Sequence, residues 1–159
     1  MNARWWLVPL TVAVALMLVM LPLPEAVEPL RPDWVALVVL YWAVALPERF
    51  GLVFAWCAGL LLDVTTGALL GQHALGLVLI AAIALRVHQR LRVFPLPHQA
   101  LVVVALVFFK QVIVLWTSGV AGRAPEEPWL YMLAPLTAFV FWPIVFVILR
   151  DLRRRHGVS

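Results

Sequence analysis

The stretch GLVFAWCAGLLLDVTTGALLGQHALG, residues 51–76, places small residues and one carboxylate at regular intervals in an otherwise apolar sequence. Steps of four residues connect Gly51, Ala55, Gly59, Asp63, Gly67 and Gly71. Residues four apart lie near one face of an α-helix, and small side chains on that face let a second backbone approach closely. We therefore predict a groove for helix packing or partner binding, formed by Gly59, Asp63, Gly67 and Gly71.

Asp63 is the charged member of this groove. A carboxylate at the centre of a membrane helix costs about 2.5–3.5 kcal/mol on insertion scales, so it requires a partner or a role. One interpretation is that Asp63 caps a helix end at the membrane surface. The other is that it forms an intramembrane ion pair with Lys110, the one cation within an apolar segment. Asp33 is a second carboxylate in the same half, and the Lys110 ammonium could instead extend to the outer interface.

The whole chain has the composition of an integral membrane protein, because 65% of its 159 residues are hydrophobic and only 13% are charged. Its mean hydropathy is +1.01. Six spans of about 20 residues would use roughly 120 residues, which leaves too little chain for a soluble catalytic or nucleic-acid-binding domain. The net charge of +4 comes from arginines between apolar segments. Such arginines orient a chain in a membrane, so we predict no nucleic-acid partner.

The apolar segments predict an all-α bundle of six membrane-spanning helices in a single membrane domain, residues 1–159. The predicted spans cover about residues 5–21, 33–47, 50–66, 71–87, 99–116 and 129–149. Prolines, acidic residues and arginines occupy the connections between them. Residues 51–87 are thus divided between two predicted helices, the third and fourth spans.

Arginine is distributed unequally between the two sides of this arrangement. Nine arginines fall on one side, whereas Arg31 and Arg123 fall on the other. Because basic residues are retained in the cytoplasm, we predict a multi-pass protein with both termini cytoplasmic. The predicted cytoplasmic contacts are made by Arg86, Arg90, Arg92, Arg153, Arg154 and Arg155. These clusters either fix topology and touch anionic membrane lipids or dock a cytoplasmic protein.

No sequence motif points to catalysis. Gln72 and His73 adjoin the glycine groove, but no second histidine lies at metal-ligand spacing, and no H-E-x-x-H or phosphate-binding glycine loop occurs. Cys57 is the only cysteine, which rules out an internal disulfide and a cysteine zinc site. We predict no catalytic residue, no metal site and no cofactor.

Three segments resemble a known family. They are RPDW at residues 31–34, LYWAVALPERFG at 40–51 and AWCAGLLLDVTTGALLGQHAL at 55–75. Together they resemble the rod shape-determining protein MreD family of bacteria, whose length and span count fit the whole chain. The resemblance implies a non-enzymatic scaffold subunit of the rod-shape or elongation complex in the inner membrane, needed for lateral peptidoglycan synthesis and cell shape. It also implies an MreC-like bitopic partner and, through it, a RodA-type glycosyltransferase, its transpeptidase and MreB filaments.

The family fold is similar to the substrate-binding component of energy-coupling-factor transporters. This similarity supplies the alternative function, a membrane subunit that binds a small, vitamin-type molecule for transport. Such a subunit would carry an A-x-x-x-A docking motif in its first span, whereas the nearest small pair here is Thr11 with Ala15. The loops are also poor in the polar side chains that a vitamin site needs. We therefore favour the scaffold.

Overall fold

The computed structural model of the chain describes residues 4–158, and all regular structure within that range is helical. The first and last residues of the predicted domain, 1 and 159, lie outside the described range. The α-helices in chain order are α1 (Leu7–Met20), α2 (Trp34–Ala45), α3 (Leu52–Thr66), α4 (Gln72–Val93), α5 (Leu96–Val120), α6 (Pro128–Tyr131) and α7 (Ala134–His156), and a 3-10 turn covers Glu28–Leu30. The all-α prediction is confirmed.

Helix lengths differ from those of the predicted spans. Within the described residues, three segments are long and apolar enough to cross a membrane: α4, α5 and the continuous run Pro128–His156. The helices α1 and α3 are apolar but have only 14 and 15 residues. Helix α5 begins before its predicted start at residue 99 because Pro97 occupies its first turn, where a proline needs no intrahelical N–H bond. The number of spans therefore stays a prediction.

Helix α2 is the core of the bundle. Residues 35–43 are all buried, with relative exposures of 0–7%, and α2 contacts α1, α3, α4, α5 and α7. Its sequence, WVALVVLYWAVA, carries no polar face, which is typical of a helix surrounded by protein on all sides. A polar contact joins it to α1, since Trp42 Nε1 donates a 2.9 Å hydrogen bond to Thr11 Oγ1.

The helices α3 and α4 form a tight hairpin. Gly67, at φ +70°, ends α3, and Gly71, at φ +96°, precedes α4. Both values lie in the left-handed region that favours glycine. The closest approach of the two helices is at Gly59, where an added Cβ would lie 2.2 Å from Ala74 Cα.

The predicted groove is consequently not one continuous helix face. Its members at 67 and 71 belong to the turn, because the chain reverses between them. An added Cβ at Gly67 would meet no atom within 4 Å, and one at Gly71 would meet only the Trp56 ring at 3.9 Å. The G-x-x-x-G spacing reflects two backbone conformations at the ends of a turn and not a packing motif.

Large apolar side chains cover the outside of the bundle. Examples with at least 59% exposure are Met17, Val53, Leu101, Leu136 and Val140. In water such a surface would drive aggregation, whereas hydrocarbon solvates it. The outward faces are thus those of a membrane protein.

Candidate functional site

Charged and polar side chains meet inside the bundle at the end where α2 and α4 begin. We call Asp33, Asp63, Gln72, His73 and Lys110 the polar cluster. Asp63 and Lys110 are 0% and 2% exposed, so both are removed from solvent. Buried charges persist only where ion pairs and hydrogen bonds compensate the lost hydration.

Lys110 on α5 pairs with Asp33. The ammonium donates to Asp33 Oδ2, while Asp33 Oδ1 accepts a 3.2 Å hydrogen bond from the Ala36 backbone N–H and so caps α2. The lysine stem crosses α4 at Gly76, where an added Cβ would lie 2.8 Å from Lys110 Cγ. The Asp33 carboxylate therefore stabilises both the positive N-terminal end of α2 and the buried ammonium of Lys110.

The predicted ion pair between Asp63 and Lys110 is not formed. Asp63 lies at the end of α3, and its carboxylate accepts 2.8 Å hydrogen bonds from the backbone N–H groups of Gly71 and His73. A longer contact of 3.5 Å comes from the Ala74 N–H. The physical reason is that the α3–α4 turn brings the unpaired N–H groups of α4 directly to Asp63, and this satisfies the carboxylate locally. Of the two interpretations drawn from the sequence, the geometry matches the helix cap.

His73 contributes a side-chain bond to the same carboxylate. Its Nδ1 lies 2.8 Å from Asp63 Oδ1. Metal binding would need more ligands, and within residues 4–158 no three His, Cys, Asp or Glu side chains lie close enough together to hold an ion. What the arrangement does is join α3 to α4 through one buried carboxylate.

The side-chain amides of Gln72 and Gln99 are buried and hydrogen-bond to neighbouring segments. The sequence analysis assigned neither of them a role. Gln72 donates to the Val114 carbonyl at 2.9 Å and to the hydroxyl of Ser118, which connects α4 to α5. Gln99 donates to the Leu91 carbonyl at 2.7 Å, across the connection between the same helices. The signal that could have found both is an amide within an apolar segment, because such a group must find a hydrogen-bond partner.

Arginines cap two helix C-termini. Arg92 donates from Nε and Nη2 to the carbonyls of Val44 and Ala45, both at 2.9 Å, at the end of α2. Arg31 donates to the Leu21 carbonyl at 2.8 Å beyond the end of α1. A cation at these positions satisfies free carbonyls and complements the negative end of the helix dipole.

The two predicted basic clusters are partly brought together. Arg92, Arg153 and Arg154, together with Arg150, line one cleft between the ends of α2 and α4, the start of α5 and α7. The three remaining predicted contact residues, Arg86, Arg90 and Arg155, are exposed and lie outside this cleft. The sequence showed the charge of these segments but not their meeting point, which depends on how α7 packs.

Comparison with known proteins gives one consistent result. The family model described as rod shape-determining protein MreD matches residues 1–152. A protein named Rod shape-determining protein MreD, from Haemophilus influenzae, is 30% identical over 152 residues, which cover 96% of this chain and 93% of that protein. No solved structure matches.

Proposed function

The chain belongs to the rod shape-determining protein MreD family, and from this premise we propose that it is a non-enzymatic scaffold subunit of the rod-shape complex. Family membership gives it a role in rod shape determination. In the proposed function it binds an MreC-like bitopic protein in the inner membrane. Through that partner it connects to a RodA-type glycosyltransferase, its transpeptidase and MreB filaments.

The observation that carries this proposal is that the buried charges are bonded to groups of the protein itself. Asp33 and Asp63 each accept hydrogen bonds at the N-terminus of a helix, and Lys110 pairs with Asp33. The bonds of Asp63 join α3 to α4 and the Lys110–Asp33 pair joins α5 to α2, which suits a rigid bundle that presents its outer faces to partners. The family match over nearly the whole chain supports the same function, because the matched relative is itself named for rod shape determination.

We further propose six spans, formed by α1 to α5 and α7, with both termini in the cytoplasm. The arginine distribution supports this orientation. Helices of 12 to 15 residues are only about 18–23 Å long, so α1, α2 and α3 need flanking residues or local thinning of the bilayer to cross it. We also propose that the bundle has a fold similar to that of the substrate-binding component of energy-coupling-factor transporters.

Affinity purification tests the scaffold function against the transporter alternative. The tagged chain, extracted in mild detergent from a rod-shaped host, should co-isolate a single-span periplasmic protein and restore rod shape to cells that lack the native subunit. A multi-span protein with the same tag serves as the control for nonspecific capture. Recovery of ATPase subunits, without a single-span partner and without rescue of shape, would instead support the transporter alternative.

A further inference from the structure

The cleft between α2 and α7 lies at the opposite end of the bundle from the polar cluster. It has a volume of about 330 Å³. Its basic residues, which define the basic cleft, are Arg92, Arg150, Arg153 and Arg154. Aromatic residues form the inner wall, among them Tyr41 and Trp142. Guanidinium groups on one side and an apolar wall on the other suit an amphiphilic ligand.

Among the described residues, one carboxylate faces the four arginines of the basic cleft, and Arg92 bonds to backbone carbonyls at the end of α2. Within residues 4–158, neither Arg153 nor Arg154 forms an ion pair. Arg150 faces one carboxylate, Asp151, at 3.7 Å, and its buried Nε has no hydrogen-bond partner. Each guanidinium carries five N–H donors, so Arg153 and Arg154, which face no carboxylate, can donate to the acceptor oxygens of a ligand.

The side chains that line the basic cleft indicate which class of ligand it binds. Arginine forks match phosphate oxygens by bidentate hydrogen bonding, which favours phosphate over a simple halide. Phe146, whose ring centroid lies 5.9 Å from the Arg150 guanidinium carbon, also lines the cleft and extends the apolar surface. Tyr41 is only 2% exposed yet lines the same cavity. A volume near 330 Å³ fits a headgroup, whereas acyl chains would lie against the apolar outer faces of the helices.

We propose that the basic cleft binds the phosphate headgroup of an anionic membrane lipid. A lipid is favoured over a soluble phosphate because the cleft joins a guanidinium cluster to an apolar wall in a protein that lipid surrounds. Bound lipid would bridge α2, the start of α5 and α7, since residues from all three line the cavity. The inference is independent of which protein partner the bundle binds.

Native mass spectrometry of the detergent-released full chain tests the proposal. The chain is titrated with phosphatidylglycerol, cardiolipin or phosphatidylcholine, and the retained lipid is counted. The test variant is Arg153→Gln/Arg154→Gln. The matched control is Arg86→Gln/Arg90→Gln, which removes the same charge from exposed residues outside the cleft.

We expect the wild-type chain to retain anionic lipid in preference to phosphatidylcholine. One basic residue near a lipid headgroup is worth about fivefold in affinity, so the test variant should bind about 25-fold more weakly. The control variant should change by less than about twofold. Thermal melting in detergent without lipid verifies folding, and the single variant Arg154→Gln, at an exposed side chain, replaces the double variant if the latter melts early.

Three results would overturn the proposal. The first is equal retention of phosphatidylcholine and phosphatidylglycerol. The second is an equal loss of lipid in the test and control variants. The third is that millimolar inorganic phosphate displaces the lipid and alone raises the melting temperature, which would assign the site to a soluble phosphate compound. Loss of the protein partner in the purification described above would leave all three readouts unchanged, so the two proposals fail separately.

Discussion

At the scale of single residues, the stability of the polar cluster depends on which carboxylate faces which cation. Asp33 pairs with Lys110 and also caps α2, whereas Asp63 bonds to the start of α4 and to the His73 ring. Removing one partner of a buried ion pair costs about 3–5 kcal/mol, because the other charge stays buried without compensation. The two carboxylates should therefore respond differently when Lys110 is neutralised.

A double-mutant cycle measures this difference. Lys110→Met and Asp33→Asn should each lower the melting temperature strongly, and the double variant should cost less than the sum by about 0.5–3 kcal/mol. The matched cycle uses Lys110→Met with Asp63→Asn, for which the effects should add within about 0.5 kcal/mol. Coupling in the second cycle and additivity in the first would instead support the Asp63–Lys110 ion pair that the sequence predicted.

Substitutions at Asp63 test its function as a cap. Asp63→Asn keeps one oxygen that can accept backbone N–H groups, so it should cost about 1 kcal/mol and retain most cell-shape function. Asp63→Ala removes both acceptors and leaves buried N–H groups unsatisfied, so it should cost about 2–3 kcal/mol more. Thermal melting and rod-shape complementation are the measurements, with Glu127→Gln on the exposed loop as control. Near-complete loss of function in a folded Asp63→Asn variant would contradict a purely structural carboxylate.

Sequence alone predicted part of this site. The cost of charge in an apolar segment showed that Asp63 and Lys110 need partners. It could not choose those partners, because the choice depends on depth along the bundle. Residues 21–33 contain four prolines and are predicted as a connection between spans. The depth at which α2 starts could not be deduced from such a segment.

At the scale of elements, glycines that recur every four residues in the sequence have two distinct structural roles. Gly59 lets α3 and α4 touch, whereas Gly67 provides a left-handed turn. Composition and hydrophobic runs were sufficient to predict the helices, because long apolar segments between prolines and arginines admit little else. Helix ends were harder to predict, since the αL conformation of a glycine follows from tertiary packing as well as from local sequence.

Alanine and asparagine substitutions separate these two uses. Gly59→Ala should cost about 1–3 kcal/mol or more through overpacking against Ala74, and Gly59→Asn should be worse. Gly67→Ala should cost about 1–2 kcal/mol because of its positive φ, whereas Gly67→Asn should recover most of that loss. Gly119, a helical position with no atom within 4 Å of an added Cβ, is the control, and Gly119→Ala should be neutral or stabilising. Melting temperatures in one detergent are compared, and a tolerated Gly59→Asn would argue against the close approach of α3 and α4.

At the scale of the whole molecule, the polar cluster lies inside the bundle, large apolar side chains cover its outside, and four arginines line a cleft at one end. The charge asymmetry predicts orientation independently of family membership. Accessibility of single cysteines tests it in a Cys57→Ala background, since the side chain of Cys57 is on the exposed outer surface. In intact spheroplasts, a cysteine at Glu126 should react with an impermeant thiol reagent, whereas one at Gln89 should react only after lysis. Both native residues are exposed, so burial cannot explain protection, and the reverse labelling pattern would invert the proposed topology.

The buried position of α2 has a consequence for biogenesis. Its 12 residues extend only about 18 Å, less than the roughly 30 Å of a bilayer core. Helices α3, α4, α5 and α7, which cover it, are all translated later, and the lysine that neutralises Asp33 follows 77 residues downstream. A nascent chain arrested before that lysine keeps Asp33 as an unpaired acid at the start of a short helix that the rest of α5 and α7 do not yet cover. We therefore expect such arrested chains to be substrates for membrane quality-control proteases, while the completed chain escapes them.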